Sequence, residues 1–268
     1  MHFTHIKLKP TKKINKDFNL TDAVKDIEIP EESKQDSKKF HKTNKLSDEL
    51  GWDLLIEFED SIIYAFDYLN VKEKVIIPEL NPTTIFYSNA IMFHRNLITT
   101  KKNLLEKSPT LKELHKPIDP KIFGNFFQFA TNCIINLQST IESFANRQIP
   151  DNYFINEKGE EYDVSIFHKI DTVLPVIKGK KFKREFKRDN FRVRKVIELR
   201  NEIIHLKPIK DSTNTQYKAT YRKMIKFDFT RAIIAVKKFV NFYEPELIEE
   251  CICGKEYYYD LEIKEKEE

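Results

Sequence analysis

Glycine is scarce in this chain, at 5 of 268 residues. Neither GxGxxG nor GxxxxGK followed by Ser or Thr occurs, which excludes the glycine-rich turns that cradle nucleotide phosphates. Cysteine is scarce too. Three cysteines, an odd number in a long chain, imply no disulfide framework and predict a reducing, cytoplasmic setting. Long apolar runs are missing, because charge interrupts each within a few residues; no membrane-spanning helix and no membrane partner are expected. The opening MHFTHIKLKPTKK lacks the apolar segment of a secretory signal. A strong charge of one sign is missing as well. The net charge of +4 and pI near 8.7 permit a polyanionic partner without demanding one. What is present is material for a sizeable core, with 40% hydrophobic and 12% aromatic residues. A charged fraction of 33% and mean hydropathy of −0.54 keep the surface wet. The length suits one large domain, or a compact domain with extensions.

Residues 1–46 form a polar, Lys-rich leader with eleven Lys against seven acidic residues. MHFTHIKLKP alternates as a short strand does, and the rest reads as loop, with Pro30 stopping any helix. A solvated leader and an arm that binds RNA or a partner are both open. From Ser47 to Glu244 the chain reads as a helical bundle. Leu50, Leu54, Phe58, Ile62 and Phe66 recur at every fourth position and predict a first helix capped by Ser47. TTIFYSNAIMFHRNLITTKKN predicts a second. Phe123, Phe127, Ala130, Ile134, Leu137, Ile141 and Ala145 keep a three-four rhythm through a third and longer one. A β-hairpin is expected around Lys158-Gly159, then a short helix broken at Pro175. A further helix follows over NFRVRKVIELRNEIIHLKP, closed by Pro208, and FDFTRAIIAVKKFVNFYEPEL supplies the last. Residues 245–268 read as a tail with one strand before an acidic end. The fold expected is all-α, an antiparallel bundle with a small hairpin insertion and peripheral extensions.

The helix ending at His205 carries the most chemistry. At about 100° per residue, Val193, Val196, Ile197, Leu199, Ile203 and Ile204 fall in an arc centred on Arg200. A guanidinium in the middle of an apolar stripe needs an anion. Asn201, Arg194 and His205 lie together at the stripe's edge, with Glu198 just beyond, so one polar wedge flanks a buried face. A structural ion pair for Arg200 and a dipole-capping role for His205 are the competing explanations.

Arg200-Asn201-x-x-x-His205, late in a helical bundle, resembles the signature of HEPN domains, whose ribonuclease members carry Arg, four to six residues, then His. NLQSTIESFANRQI resembles the HEPN helix whose acidic or polar residue faces the Arg; Glu142 is the matching position, flanked by Gln138 and Asn146. The similarity spans about residues 119–244. It implies a HEPN-like bundle and a metal-independent endoribonuclease with no cofactor, acting on RNA at a cleft between two protomers. Toxins and antiviral effectors are the implied class, with an antitoxin or defence-system protein as a further partner. In that chemistry Arg200, Asn201 and His205 are catalytic, and Glu142 and Arg194 support them. His suits proton transfer near neutral pH, Arg grips two phosphate oxygens, and Asn orients the imidazole or donates to the phosphate. The 2′-hydroxyl attacks, leaving a 2′,3′-cyclic phosphate and a 5′-hydroxyl. One motif offers one imidazole, so a homodimer is expected to bury two apolar stripes around an axis near the two His205 side chains. The alternative is a non-catalytic HEPN-like binding or assembly module in which Arg200 and Glu142 form a structural pair.

Upstream lies a basic run, Lys178, Lys180, Lys181, Lys183, Arg184, Lys187 and Arg188. RNA backbone recruitment and a solvated helix face are equally open for it. Phe182, Phe186 and Phe191 interleave with the run and are expected to anchor a core or interface rather than stack on bases. Cys251-x-Cys253 lacks a second Cys/His pair nearby, so no metal is expected. His94-Arg95-Asn96 reverses the motif's order and is expected at a partly exposed helix edge.

Overall fold

Two periodicities divide the chain: alternation by twos over residues 54–78 and the three-four rhythm of the helices after residue 81. A computed structural model describes residues 5–14, 28, 30–59, 61–150, 153, 164–206 and 216–252. These fall into two units, one within Leu8–Asn81 and one made of Met1–Lys7 with Pro82–Glu268. Most described residues are helical, and a small antiparallel sheet of three strands accompanies them.

The smaller unit holds helix α1 (Glu31–Lys42) and strands β1 (Leu54–Phe58), β2 (Ser61–Asn70) and β3 (Glu73–Pro78) in sheet order β1-β2-β3. The helix expected over this stretch is therefore a meander. Spacing by fours is also spacing by twos, so the apolar series fits strands equally well. The register pairs Leu54 with Ala65 and Phe58 with Ser61, and the turn between them contains Glu59 at φ 52°. Crossing that turn reverses parity. Even-numbered residues of β1 and odd-numbered residues of β2 share the more buried face, which leaves Phe66 and Tyr68 exposed on the other. Asp67, buried on the inner face, accepts hydrogen bonds from the Ser47 amide (3.0 Å) and hydroxyl (2.7 Å) and ties the preceding turn to β2. Pro30 precedes α1 rather than stopping it; a proline there gives up no helical hydrogen bond. The N-terminal alternation yields isolated bridges, Ile6 with Glu250 and, in the smaller unit, Pro10 with Leu80 and Lys13 with Ile63.

The larger unit contains α2 (Pro82–Lys107), α3 (Pro120–Gln148), α4 (Ile166–His168), α5 (Leu174–Lys178), α6 (Phe182–Glu185), α7 (Lys187–Ile204), α8 (Lys218–Lys226) and α9 (Phe229–Tyr243). Asp119 accepts from the Lys121 amide and Pro120 follows it, so α3 starts where an N-cap and an N1 proline meet. Asp228 does the same for α9 by accepting from the Arg231 amide. Helices α2 and α3 share the largest packing surface, and α7 packs on α3 and α9. The shared core includes Tyr87, Phe126, Phe144, Phe182, Val196, Ile197 and Phe239. Pro175 does not break its helix. A π-helical turn, Lys169–Val173, joins α4 to α5, and the wider turn relieves the clash between a proline ring and the carbonyl four residues earlier. Helix α8 carries no sequence expectation. The expected hairpin at Lys158-Gly159, Pro208, and the tail beyond Ile252 lie outside the described residues.

Candidate functional site

Helix α7 sets the geometry. Its arc of Val193, Val196, Ile197, Leu199 and Ile203 is buried in the core of its own unit, so intrachain packing covers most of the stripe expected to bury a dimer. Ile204, at 48% exposed, is the part left over. Arg200 sits in the middle of that arc and is half-buried. Its Nη1 donates to Asn201 Oδ1 at 3.2 Å, and its Nε is fully buried with no hydrogen-bond partner. Among the described residues no carboxylate pairs with it. An ionic group held this way is costly to keep unless an anion arrives, since one unsatisfied buried donor costs about 1–3 kcal/mol and a charged one more.

Glu142 is not that anion. It accepts from Gln138 Nε2 on its own helix, α3. Asn146, one turn on, accepts from Lys169 Nζ at 2.9 Å. The three polar residues of the α3 edge are thus occupied with one another and with the π-turn. Arg194 is also engaged. It donates to Asp171 Oδ2 and lies over the Phe167 ring, 4.5 Å from its centroid. Eleven positions before His205 on one helix, it is about 16 Å away along the axis, too far to share a phosphate with it. Arg194 therefore braces α7 against the π-turn.

His205 closes α7. It is exposed, and its backbone amide donates to the Asn201 carbonyl at 3.1 Å. Among the described residues its imidazole has no hydrogen-bond partner, and the exposed residue lies on the same side of the helix as Asn201. Arg200, Asn201 and His205 therefore stand on the last turns of one helix, with the guanidinium inward and the imidazole outward.

The basic run is divided between two grooves. Lys180, Lys181 and Arg184 line one of about 550 Å³, shared with Asp171 and Glu185. Lys187 and Arg188 line another of about 510 Å³, shared with Phe191, Arg192, Lys195, Lys226, Phe227, Asp228 and Arg231. Lys183 is exposed and lines neither. Phe182 is buried, 1% exposed, and its ring meets Phe186, Phe239 and Phe242, as expected of a core anchor. Phe191 departs from that expectation: it is 60% exposed and belongs to the groove.

His94 is not at an exposed edge. It is 2% exposed, and its Nε2 lies 2.9 Å from Thr230 Oγ1. Burial pulls its pKa down to about 4, against an opposing pull from Asp228. Cys133 is buried, and burial raises its thiol pKa far above the ordinary value, which leaves it inert. Among the described residues no cluster of three His, Cys, Asp or Glu side chains is close enough to hold a metal ion. None of their helices is long and apolar enough to cross a membrane.

No family model, no curated protein and no solved structure matches the chain.

Proposed function

We propose that this protein is a HEPN-type, metal-independent endoribonuclease that cleaves RNA by 2′-OH transesterification. The observation that carries it is Arg200, a guanidinium set into the buried face of α7 with an unsatisfied Nε and no carboxylate partner among the described residues. A structural ion pair, the alternative in which Arg200 and Glu142 only hold a bundle together, needs a contact that is missing. The exposed part of the half-buried guanidinium meets an RNA phosphate instead, and donors aimed at the phosphorane charge lower the barrier. Asn201 fixes the fork's orientation through its Oδ1. His205, exposed and five residues on, takes the 2′-hydroxyl proton or supplies one to the 5′-oxygen.

A single imidazole serves one of those roles at a time. A two-fold homodimer meeting at the C-terminal end of α7, with Ile204 as its exposed apolar contact, provides the second. The likeness to HEPN toxins and antiviral effectors extends the proposal to a defence role, with an antitoxin or system component as partner and the cytoplasm as its setting.

The test is incubation of a defined RNA with wild-type protein, His205→Ala and Arg200→Lys in EDTA. Wild type cleaves, His205→Ala does not, and Arg200→Lys is nearly inactive because the ammonium lacks the planar fork. Equal cleavage by all three overturns the assignment.

A further inference from the structure

We propose that the groove lined by Lys187, Arg188, Phe191 and Lys226 seats single-stranded RNA, gripping its phosphates with cations and stacking one base on Phe191. The proposal rests on RNA as the protein's ligand and not on cleavage at His205.

Its volume, about 510 Å³, is within the roughly 300–1,000 Å³ of ligand clefts. One carboxylate lines it, Asp228, and that group is already committed. It accepts from the Arg231 amide at 3.0 Å as the α9 cap and pairs with Arg231 Nε at 3.3 Å. Arg192 is likewise paired with Asp189 at 2.8 Å and Lys195 with Glu198 at 2.6 Å. Lys187, Arg188 and Lys226 have no ion-pair partner among the described residues, so three cations converge on a concave surface with their charge unanswered.

Phe191 distinguishes this groove from a solvated basic face. Its ring is 60% exposed, with Lys195 Nζ 5.4 Å from its centroid. An aromatic ring standing open among cations matches a ligand that carries charge on one edge and π-faces on another. A nucleic-acid strand does, and stacking on Phe tolerates any base. A duplex hides those faces, and the carboxylate side chains of an acidic peptide offer no aromatic ring, which selects the single strand.

The groove also points somewhere. Phe191 and His205 are fourteen residues apart on α7, about 21 Å along the axis and about 40° around it, hence on one side of the helix. Glu198 and Glu202 lie between them, answered by Lys195 and by Lys223, the latter at 2.7 Å. About six stacked nucleotides, at roughly 3.4 Å each, bridge the gap from the groove to the imidazole.

The experiment is fluorescence anisotropy of the full-length protein with a 5′-labelled 12-mer of 2′-O-methyluridine. This strand lacks the 2′-hydroxyl nucleophile, so binding is read apart from cleavage. Neutralising three phosphates predicts a slope of about −2 for log affinity against log salt. Arg188→Glu and Lys226→Glu each weaken binding at least tenfold, whereas Lys112→Glu, an exposed charge reversal elsewhere in the unit, changes it less than twofold. Phe191→Ala weakens it about 5- to 150-fold, and Phe191→Trp restores it. Circular dichroism checks that each variant is folded, and the Trp variant separates stacking from any loss of fold. Tight binding by a protein that never cleaves RNA still supports this site while removing the proposed activity. Equal loss in Lys112→Glu, an indifferent Phe191→Ala, or equally tight binding of a duplex overturns it.

Discussion

Replacing Arg200 by methionine separates the catalytic account from the structural one through stability alone. Methionine keeps an unbranched aliphatic stem in the apolar arc of α7 and deletes the charge. In this structure the deletion removes a buried Nε that bonds to nothing, which returns about 1–3 kcal/mol. It also removes the 3.2 Å bond to Asn201, a long contact worth about 1.5 kcal/mol at the lower end for a charged donor. The balance lies between a loss of about 0.5 and a gain of about 1.5 kcal/mol. For a unit of this size, about 2–4 °C per kcal/mol keeps the melting temperature within roughly 2 °C below to 6 °C above wild type. A structural pair behaves differently. Breaking a buried ion pair from one side costs about 3–5 kcal/mol, and the midpoint falls by roughly 6–20 °C. Thermal melts of Arg200→Met and wild type, in the same buffer and without RNA, decide between them. A fall of 6 °C or more means that Arg200 has an anionic partner inside the folded chain and is a structural residue. A neutral or raised midpoint together with lost RNA cleavage marks a residue kept for function at the expense of stability.

Three more outcomes follow from the same geometry. His94 is buried with its pKa near 4 against an ordinary 6.5, so the unfolded chain binds a proton the native one refuses. Stability is then full above pH 6.5 and declines as pH falls towards 4, by about 2 kcal/mol once solvent screening trims the full shift; urea melts at pH 7 and 5 measure it, and His94→Gln flattens the change. Asp67→Asn weakens the two Ser47 bonds and destabilises the smaller unit by about 1–3 kcal/mol, read as early loss of hydrogen-exchange protection in β2; unchanged protection counts against that role. Mixing His205→Ala with Arg200→Ala chains restores part of the cleavage if the two motifs of a dimer share one site, and restores none if each copy works alone.

The long helices were legible because their signals are redundant. In α3, Asp119 and Pro120 mark the start and a three-four rhythm runs through to Ala145, so cap and periodicity agree. Residues 50–66 offered a pattern that two structures satisfy, and the polar break at Glu59-Asp60-Ser61 was the signal favouring strands. Parity across that turn then decided that Phe66 faces out. Helix α1 hid because none of its residues is buried, leaving no apolar stripe to read. At the site, periodicity put Arg200 in the apolar arc correctly, because one helix determines that. Whether Glu142 reaches it depends on how α3 and α7 pack, which no spacing within either helix encodes. Phe191 and Phe182 look alike in sequence. They differ because Phe182 faces Phe239 and Phe242, while Phe191 stands 60% exposed in a surface groove.

End-group analysis of RNA fragments made by purified protein in EDTA tests the proposed cleavage most directly. A labelled oligonucleotide is digested by wild type and by His205→Ala, and the termini are identified by mass. Wild type yields 2′,3′-cyclic phosphate and 5′-hydroxyl ends, and the variant yields no fragments. Termini bearing 5′-phosphates, cleavage that appears only with Mg²⁺, or equal digestion by His205→Ala contradicts the proposal.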